Sequence, residues 1–385
     1  MKGRAMQAFR RWGGAASSTL LVVATALLSA AGEIHAQESP PAAKPPVLDL
    51  LRDEAVHLAP LVQSPLGKAF LAAVPALPAV PAGRNVYYNR TTRDALSVAE
   101  AEGRSKEALE GYERRELDEH FYYYTKYGTP LAFVRALDLV GQAGLAGVDG
   151  RRLLDFGFGS IGQLRLLASL GAEVTGVEVD RLLEKLYAEA GDTGVIPHAR
   201  APEPGALGGK AGSGAPGGIA ASEAAQDASG SGSPGHLRLL FGSFPSDSAL
   251  VSRVGRGYTL FISKNTLKRG YVHPEREVDP RFLVHLEVDD ATYLRAVHAL
   301  LVPGGYFMIY NLSPAPSKPD EPYKPWSDGR SPFAQAAFEA AGFRILAFDA
   351  DDTAMARQLG KTLGWDADMD LAIDLFGTYT LAQKP

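Results

Sequence analysis

Three glycines and two acids stand at spacings that suit the binding of a nucleoside. Residues 153–180 read LLDFGFGSIGQLRLLASLGAEVTGVEVD. An apolar run ends in Asp155, and Gly157, Gly159 and Gly162 follow as G-x-G-x-x-G. Residues 163–170 then read as a helix and 173–177 as a second strand, which ends in Glu178. A strand, a glycine turn, a helix and a strand with an acid about 20 residues past the glycines make a nucleoside-binding unit. Glycine lets the backbone turn tightly and approach a ligand closely. A carboxylate at Glu178 can accept hydrogen bonds from both hydroxyls of a ribose, a geometry that suits adenosine.

Asp155 narrows the ligand further. A carboxylate two residues before the first glycine would repel a pyrophosphate, and it suits a ligand with a cationic end. The segment resembles motif I of the class I S-adenosylmethionine-dependent methyltransferases. The resemblance implies that Asp155 faces the methionine part of S-adenosylmethionine, that Glu178 holds the ribose, and that Gly157, Gly159 and Gly162 shape the turn. It implies a Rossmann-like α/β fold with a seven-stranded sheet, and it covers residues 121–385 apart from an insert.

The elements that must position these residues can be traced along the chain. After the second strand, residues 199–236 are dominated by Gly, Ala, Ser and Pro and read as a disordered surface insert. Regular patterning resumes with strands at 237–241 and 258–263. Asp290 can cap a helix running to Leu301. LVPGGYFMIYNL at 301–312 gives a turn at Pro303, Gly304 and Gly305 and a fifth strand, a further likeness to the same family. Ser331-Pro332 opens another helix. GFRILAFDA and LFGTYTLAQK end the chain as a sixth and seventh strand, matching the antiparallel edge hairpin of that family.

Upstream, residues 1–36 read as a signal peptide. Lys2, Arg4, Arg10 and Arg11 precede an apolar run at 20–28, with small residues for cleavage near Ala31 or after Ala36. That leader implies export to the periplasm or secretion; a misassigned start would leave the protein cytoplasmic. The run is short for a membrane span, so no stable span is expected unless the leader stays uncleaved. Residues 37–120 read as a linker and helical cap, with short helices over 47–77 and a polar helical stretch over 94–119. FYYYTKYGTP at 121–130 supplies aromatic packing, or a lid that sets Tyr127 beside the sulfonium. A helix then runs from Pro130 to Gly141.

Composition limits the alternatives. The chain has 385 residues, no cysteine and a net charge of -5. Thiol chemistry and disulfides are excluded, and strong nonspecific attraction to nucleic acid is not expected. The eight histidines show no metal-ligand spacing, so no metal site is expected.

Methyl transfer needs an acceptor aligned with the methyl carbon, and a base only where the acceptor carries a proton. FISKNTLKRGYVHP at 261–274 lies where the fourth strand ends. Ser263, Lys264 and Asn265 resemble the S-x-N of small-molecule methyltransferases. Asn265 is the candidate to orient the acceptor, and His273 the candidate base. Tyr271, Trp326, Asp328 and Arg330 are further candidates for the acceptor lining. The third strand of the family often ends in Gly-Asp, whereas Gly242 precedes Ser243 here, so Ser243 or Phe244 takes the adenine. The expected activity is methyl transfer from S-adenosyl-L-methionine to a small-molecule acceptor. The alternative is an exported binding or scaffold protein that keeps the fold. An aminopropyl transferase would need an acidic pair where Lys264 and Lys268 stand.

Overall fold

The computed structural model describes residues 46–78, 80, 83–89, 91–124, 129–199 and 232–385. The leader, Tyr127 and most of the 199–236 insert lie outside the described residues. Of the insert, Gly235 and His236 belong to a strand.

The main sheet is built from β4 (Arg152–Phe156), β5 (Glu173–Glu178), β6 (Gly194–Ile196), β7 (Gly235–Phe241), β8 (Tyr258–Lys264), β9 (Leu301–Ser313), β10 (Arg344–Asp351) and β11 (Phe376–Gln383). Their order is β10-β11-β9-β8-β4-β5-β7-β6. The five strands from β9 to β7 run parallel. β11 lies antiparallel to β9, and β10 to β11, as the terminal hairpin was expected to do. The fold is Rossmann-like α/β. The sheet has eight strands rather than seven, because residues 194–196 add a short antiparallel edge beside β7. Parallel strands are buried on both faces, which explains why β8 is buried along its whole length. One apolar cluster includes Leu153, Ile262 and Met308, and a second includes Leu154, Phe261 and Phe307. Alternation along the strands sends these neighbours to opposite faces.

Three local expectations are corrected. Residues 94–119 are not helical throughout. β1 (Arg84–Asn89), β2 (Asp94–Ser97) and β3 (Tyr112–Leu117) form a separate antiparallel sheet, with a short helix Val98–Glu102 after β2. Asp289, not Asp290, caps helix Asp290–Leu300, its side chain accepting from the Thr292 amide at 2.6 Å. The helix expected at Pro332 begins at Gln335. The Ser331 hydroxyl instead accepts from the Phe333 amide in a local turn.

Helices Val47–Leu58 and Pro65–Ala72 are present as read. The second packs on helix Val134–Gln142, where buried Asp138 accepts from the Gln63 and Ser64 amides at 3.0 and 2.7 Å. Arg93 pairs with Asp180, and Lys185 with Asp94, so the small sheet is tied to the turn just past Glu178. Among the described residues, no helix is long and apolar enough to cross a membrane.

Candidate cofactor and acceptor site

The strand order reverses between β4 and β8, since the chain leaves β4 toward β5 and later returns to the other side as β8. Open α/β sheets bind ligands at such a point, outside the carboxyl ends of the strands. Asp155 pairs in register with Gly176 of β5 and Ile262 of β8. Glu178 and Lys264 are each two residues further on, so all three side chains leave the same face at the same edge.

Asp155 is 1% exposed. Its Oδ2 accepts from Gln163 Nε2 at 3.2 Å, while Oδ1 is buried without a partner. Burial pushes its carboxyl up to about 7; the Gln163 bond and the Lys264 charge oppose this, and the Glu178 charge adds to it. Glu178 is also buried, and its Oε1 accepts from the Val179 and Asp180 amides at 2.8 and 3.2 Å. Burial raises it to about 7 as well, against the pull of backbone amides that include that of Gly159.

The glycine turn connects the two acids. Gly157 and Gly159 adopt φ of 74° and 61°, in the left-handed region. The Gly157 amide donates to Val177 O at 2.8 Å, and the Thr266 hydroxyl donates to Gly157 O at 3.1 Å. A Cβ at Gly159 would meet nothing within 4 Å, so the space above the turn is open to a ligand. Gly162 starts helix Gly162–Ser169. A Cβ there would come within 3.2 Å of the Tyr122 carbonyl and of the Tyr123 ring, so this glycine permits close packing of the tyrosine segment. An orphaned buried carboxylate oxygen, an open glycine turn and a second acid at the adjacent strand end fit a ligand with a cationic end and a ribose.

Other candidates fall less centrally. Ser243 is half-buried just past β7, where the Gly242 amide donates to Glu178 O at 3.0 Å. Phe244 is a core residue packed with Phe156, Phe261 and Tyr293. Tyr271 is buried too, with the Lys268 ammonium 5.3 Å from its ring centre. Asp328 is held by Arg330 at 2.7 Å, and Trp326 packs edge-on to Phe282.

Asn265 stands just past β8 with φ of 64°, and its Oδ1 accepts from the Leu312 amide at 2.7 Å. That bond makes it a brace between the ends of β8 and β9. His273 is exposed, with Nε2 2.8 Å from Asp290 Oδ1 in a surface pair. This placement gives no support to His273 as a base inside the pocket. Asn265→Ala is expected to lower stability by about 1–2 kcal/mol through the lost bond. His273→Ala should stay within about 0.5 kcal/mol, as exposed pairs usually do. Chemical denaturation of both variants checks the contrast.

Lys264 is a residue to which the sequence reading assigns no part in the site. It is 9% exposed, and its ammonium lies 5.2 Å from the Phe133 ring centre. The available signal is a lysine closing a largely apolar strand.

No protein-family model matches the chain, and no curated protein matches it. Solved structures resemble it at a distance. A S-adenosylmethionine-dependent methyltransferase from Mesorhizobium loti shares 15% identity over 66% of this chain and 97% of its own, with a TM-score of 0.32. The [4+2]-cyclase SpnF shares 15% over 89% and 97%, at 0.32. Phosphoethanolamine N-methyltransferase 2 of Haemonchus contortus shares 11% over 70% and 56%, at 0.36.

Proposed function

We propose that the protein is an S-adenosylmethionine-dependent methyltransferase acting on a small-molecule acceptor. The observation that carries this reading is the pair of buried acids, Asp155 and Glu178, on one face of adjacent strand ends beside an open left-handed glycine turn. S-adenosylmethionine supplies, when bound, an electrophilic methyl carbon on a sulfonium. Asp155 offers its unpartnered oxygen to the ammonium at the methionine end. Glu178 accepts from the ribose hydroxyls, its carboxylate already fixed by the Val179 and Asp180 amides. Ser243 lies beside Glu178 at the end of β7, where the adenine would rest.

The acceptor would lie over the end of β8. There the Asn265 carbonyl is engaged by Leu312, which leaves its amide nitrogen to donate to an acceptor. The loop at 314–333 is stiffened by prolines and by the Arg330–Asp328 pair, and it is bonded to the segment after β8, where the Arg269 and Gly270 amides donate to Arg330 O and Asp328 O. A preorganised loop helps catalysis by aligning the reactants and keeping water out.

Calorimetric titration of the purified protein with S-adenosylmethionine and S-adenosylhomocysteine tests the reading. No binding of either at millimolar ligand would overturn it. Glu178→Ala should weaken S-adenosylhomocysteine binding by about 1.5–3 kcal/mol, because charge-assisted bonds to the ribose are lost. Unchanged affinity would remove Glu178 from the ribose site.

A further inference from the structure

We propose that Lys264 anchors the α-carboxylate of the cofactor, so that Asp155 and Lys264 together recognise the zwitterionic amino-acid end. This inference rests on the reading of the pocket given above.

Lys264 is the last residue of β8 and stands at the point where the strand order reverses. Asp155 is in register with Ile262, two residues earlier on the same face. The two charges sense each other, yet they form no direct ion pair among the described residues. They therefore stand close together at one edge of the sheet without being paired to each other. An ammonium and a carboxylate on a single carbon would satisfy both, the first toward Asp155 and the second toward Lys264.

The fold alone does not account for this lysine. The side chain is largely buried, and an ammonium held there without a protein acceptor is costly. Lys268, four residues further along the chain, shows the usual remedy by donating to Leu312 O at 2.5 Å. Lys264 makes no hydrogen bond among the described residues, and its company is the face of Phe133. The ring stabilises a cation weakly and also fixes its place. Burial brings its ammonium down to about 8, with Asp155 pulling the other way, so it remains largely protonated at neutral pH.

The experiment compares three probes on the full chain by calorimetry: S-adenosylmethionine, its decarboxylated form and 5′-methylthioadenosine. Lys264→Met should weaken S-adenosylmethionine about 10- to 100-fold, the range of one charge-assisted bond. It should leave the decarboxylated form unchanged or tighter, and 5′-methylthioadenosine unchanged. Lys264→Arg, which keeps the charge, should retain most of the affinity for S-adenosylmethionine. Unchanged S-adenosylmethionine affinity in Lys264→Met would overturn the proposal and turn attention to an anionic acceptor. Equal losses for all three probes would overturn it too, by showing a disturbed pocket. Binding of 5′-methylthioadenosine alone by the wild type would leave the nucleoside site standing and refute the zwitterion cradle. A wild type that binds none of the probes would instead sink the reading of the pocket as a cofactor site.

Discussion

Gly157→Ala is expected to destabilise the protein by about 2–5 kcal/mol and to abolish measurable cofactor binding. Two costs combine. At φ of 74° a non-glycine residue costs roughly 1–2 kcal/mol. The new methyl group would also fall 2.5 Å from Thr266 Cγ2 and 2.7 Å from Thr266 Cβ, an overlap with the branched side chain as a whole. Overpacking of this kind typically costs about 1–3 kcal/mol. Thr266 cannot turn away cheaply, because its hydroxyl holds the Gly157 carbonyl. The strain would reach both the turn over β4 and the loop that follows β8. Adding Thr266→Gly should recover the steric part and leave the dihedral part, which separates the two costs. Denaturation midpoints and titration with S-adenosylhomocysteine read the outcome. A stable Gly157→Ala variant with normal affinity would show that the turn does not depend on the left-handed Gly157 packed against Thr266.

Residues that close a strand or open a turn are legible in the amino-acid pattern alone. The acids Asp155 and Glu178 interrupt apolar runs, and glycines mark the point where the chain reverses. The same logic finds β7, β8, β9 and the terminal hairpin. The three-stranded sheet is hidden because its strands are polar and short. DALS and YERREL, within the stretch read as helical, present no alternation strong enough to oppose that reading, and β1 (RNVYYN) pairs with β3 across a wide gap in sequence. Long-range pairing of that kind leaves no local signature. Asn265 and His273 are near neighbours in sequence, yet one braces Leu312 while the other faces solvent at Asp290. A short helix Arg269–Val272 intervenes between them. In the sequence Lys264 speaks only through its charge, as an argument against polyamine binding. Its burial depends on the packing of Phe133 from another segment, which spacing along β8 does not report.

Helix Gly162–Ser169 shows where periodicity fails altogether, and it yields the second large effect. Every residue of the helix is buried, so no polar stripe marks Arg165 as different from a surface arginine. In the structure Arg165 is 0% exposed. Its Nη1 donates to the Tyr123 hydroxyl at 2.7 Å, and its Nη2 donates to Gly191 O at 2.6 Å and to Asp192 Oδ1 at 3.3 Å. The guanidinium also lies over the rings of Tyr122 and Tyr123. It thus ties the helix of the glycine turn to the tyrosine segment and to the loop that follows helix Arg181–Leu186. Arg165→Met should destabilise the protein by about 3–5 kcal/mol, since it leaves the Asp192 carboxylate buried without its ion-pair partner. Burial already holds that carboxyl above its usual range, and loss of the Arg165 charge would raise it further. A second change decides whether charge or packing is responsible. Asp192→Asn in the Arg165→Met background removes the stranded charge and keeps an acceptor for the Glu189 amide, now 2.9 Å from Asp192 Oδ2. If the stranded charge dominates, the double variant should be more stable than Arg165→Met, although Asp192→Asn alone is destabilising. If packing dominates, the two losses should simply add. Cofactor affinity measured well below the melting range should fall in Arg165→Met as well, because the helix it anchors begins at Gly162 and sets the turn above Asp155.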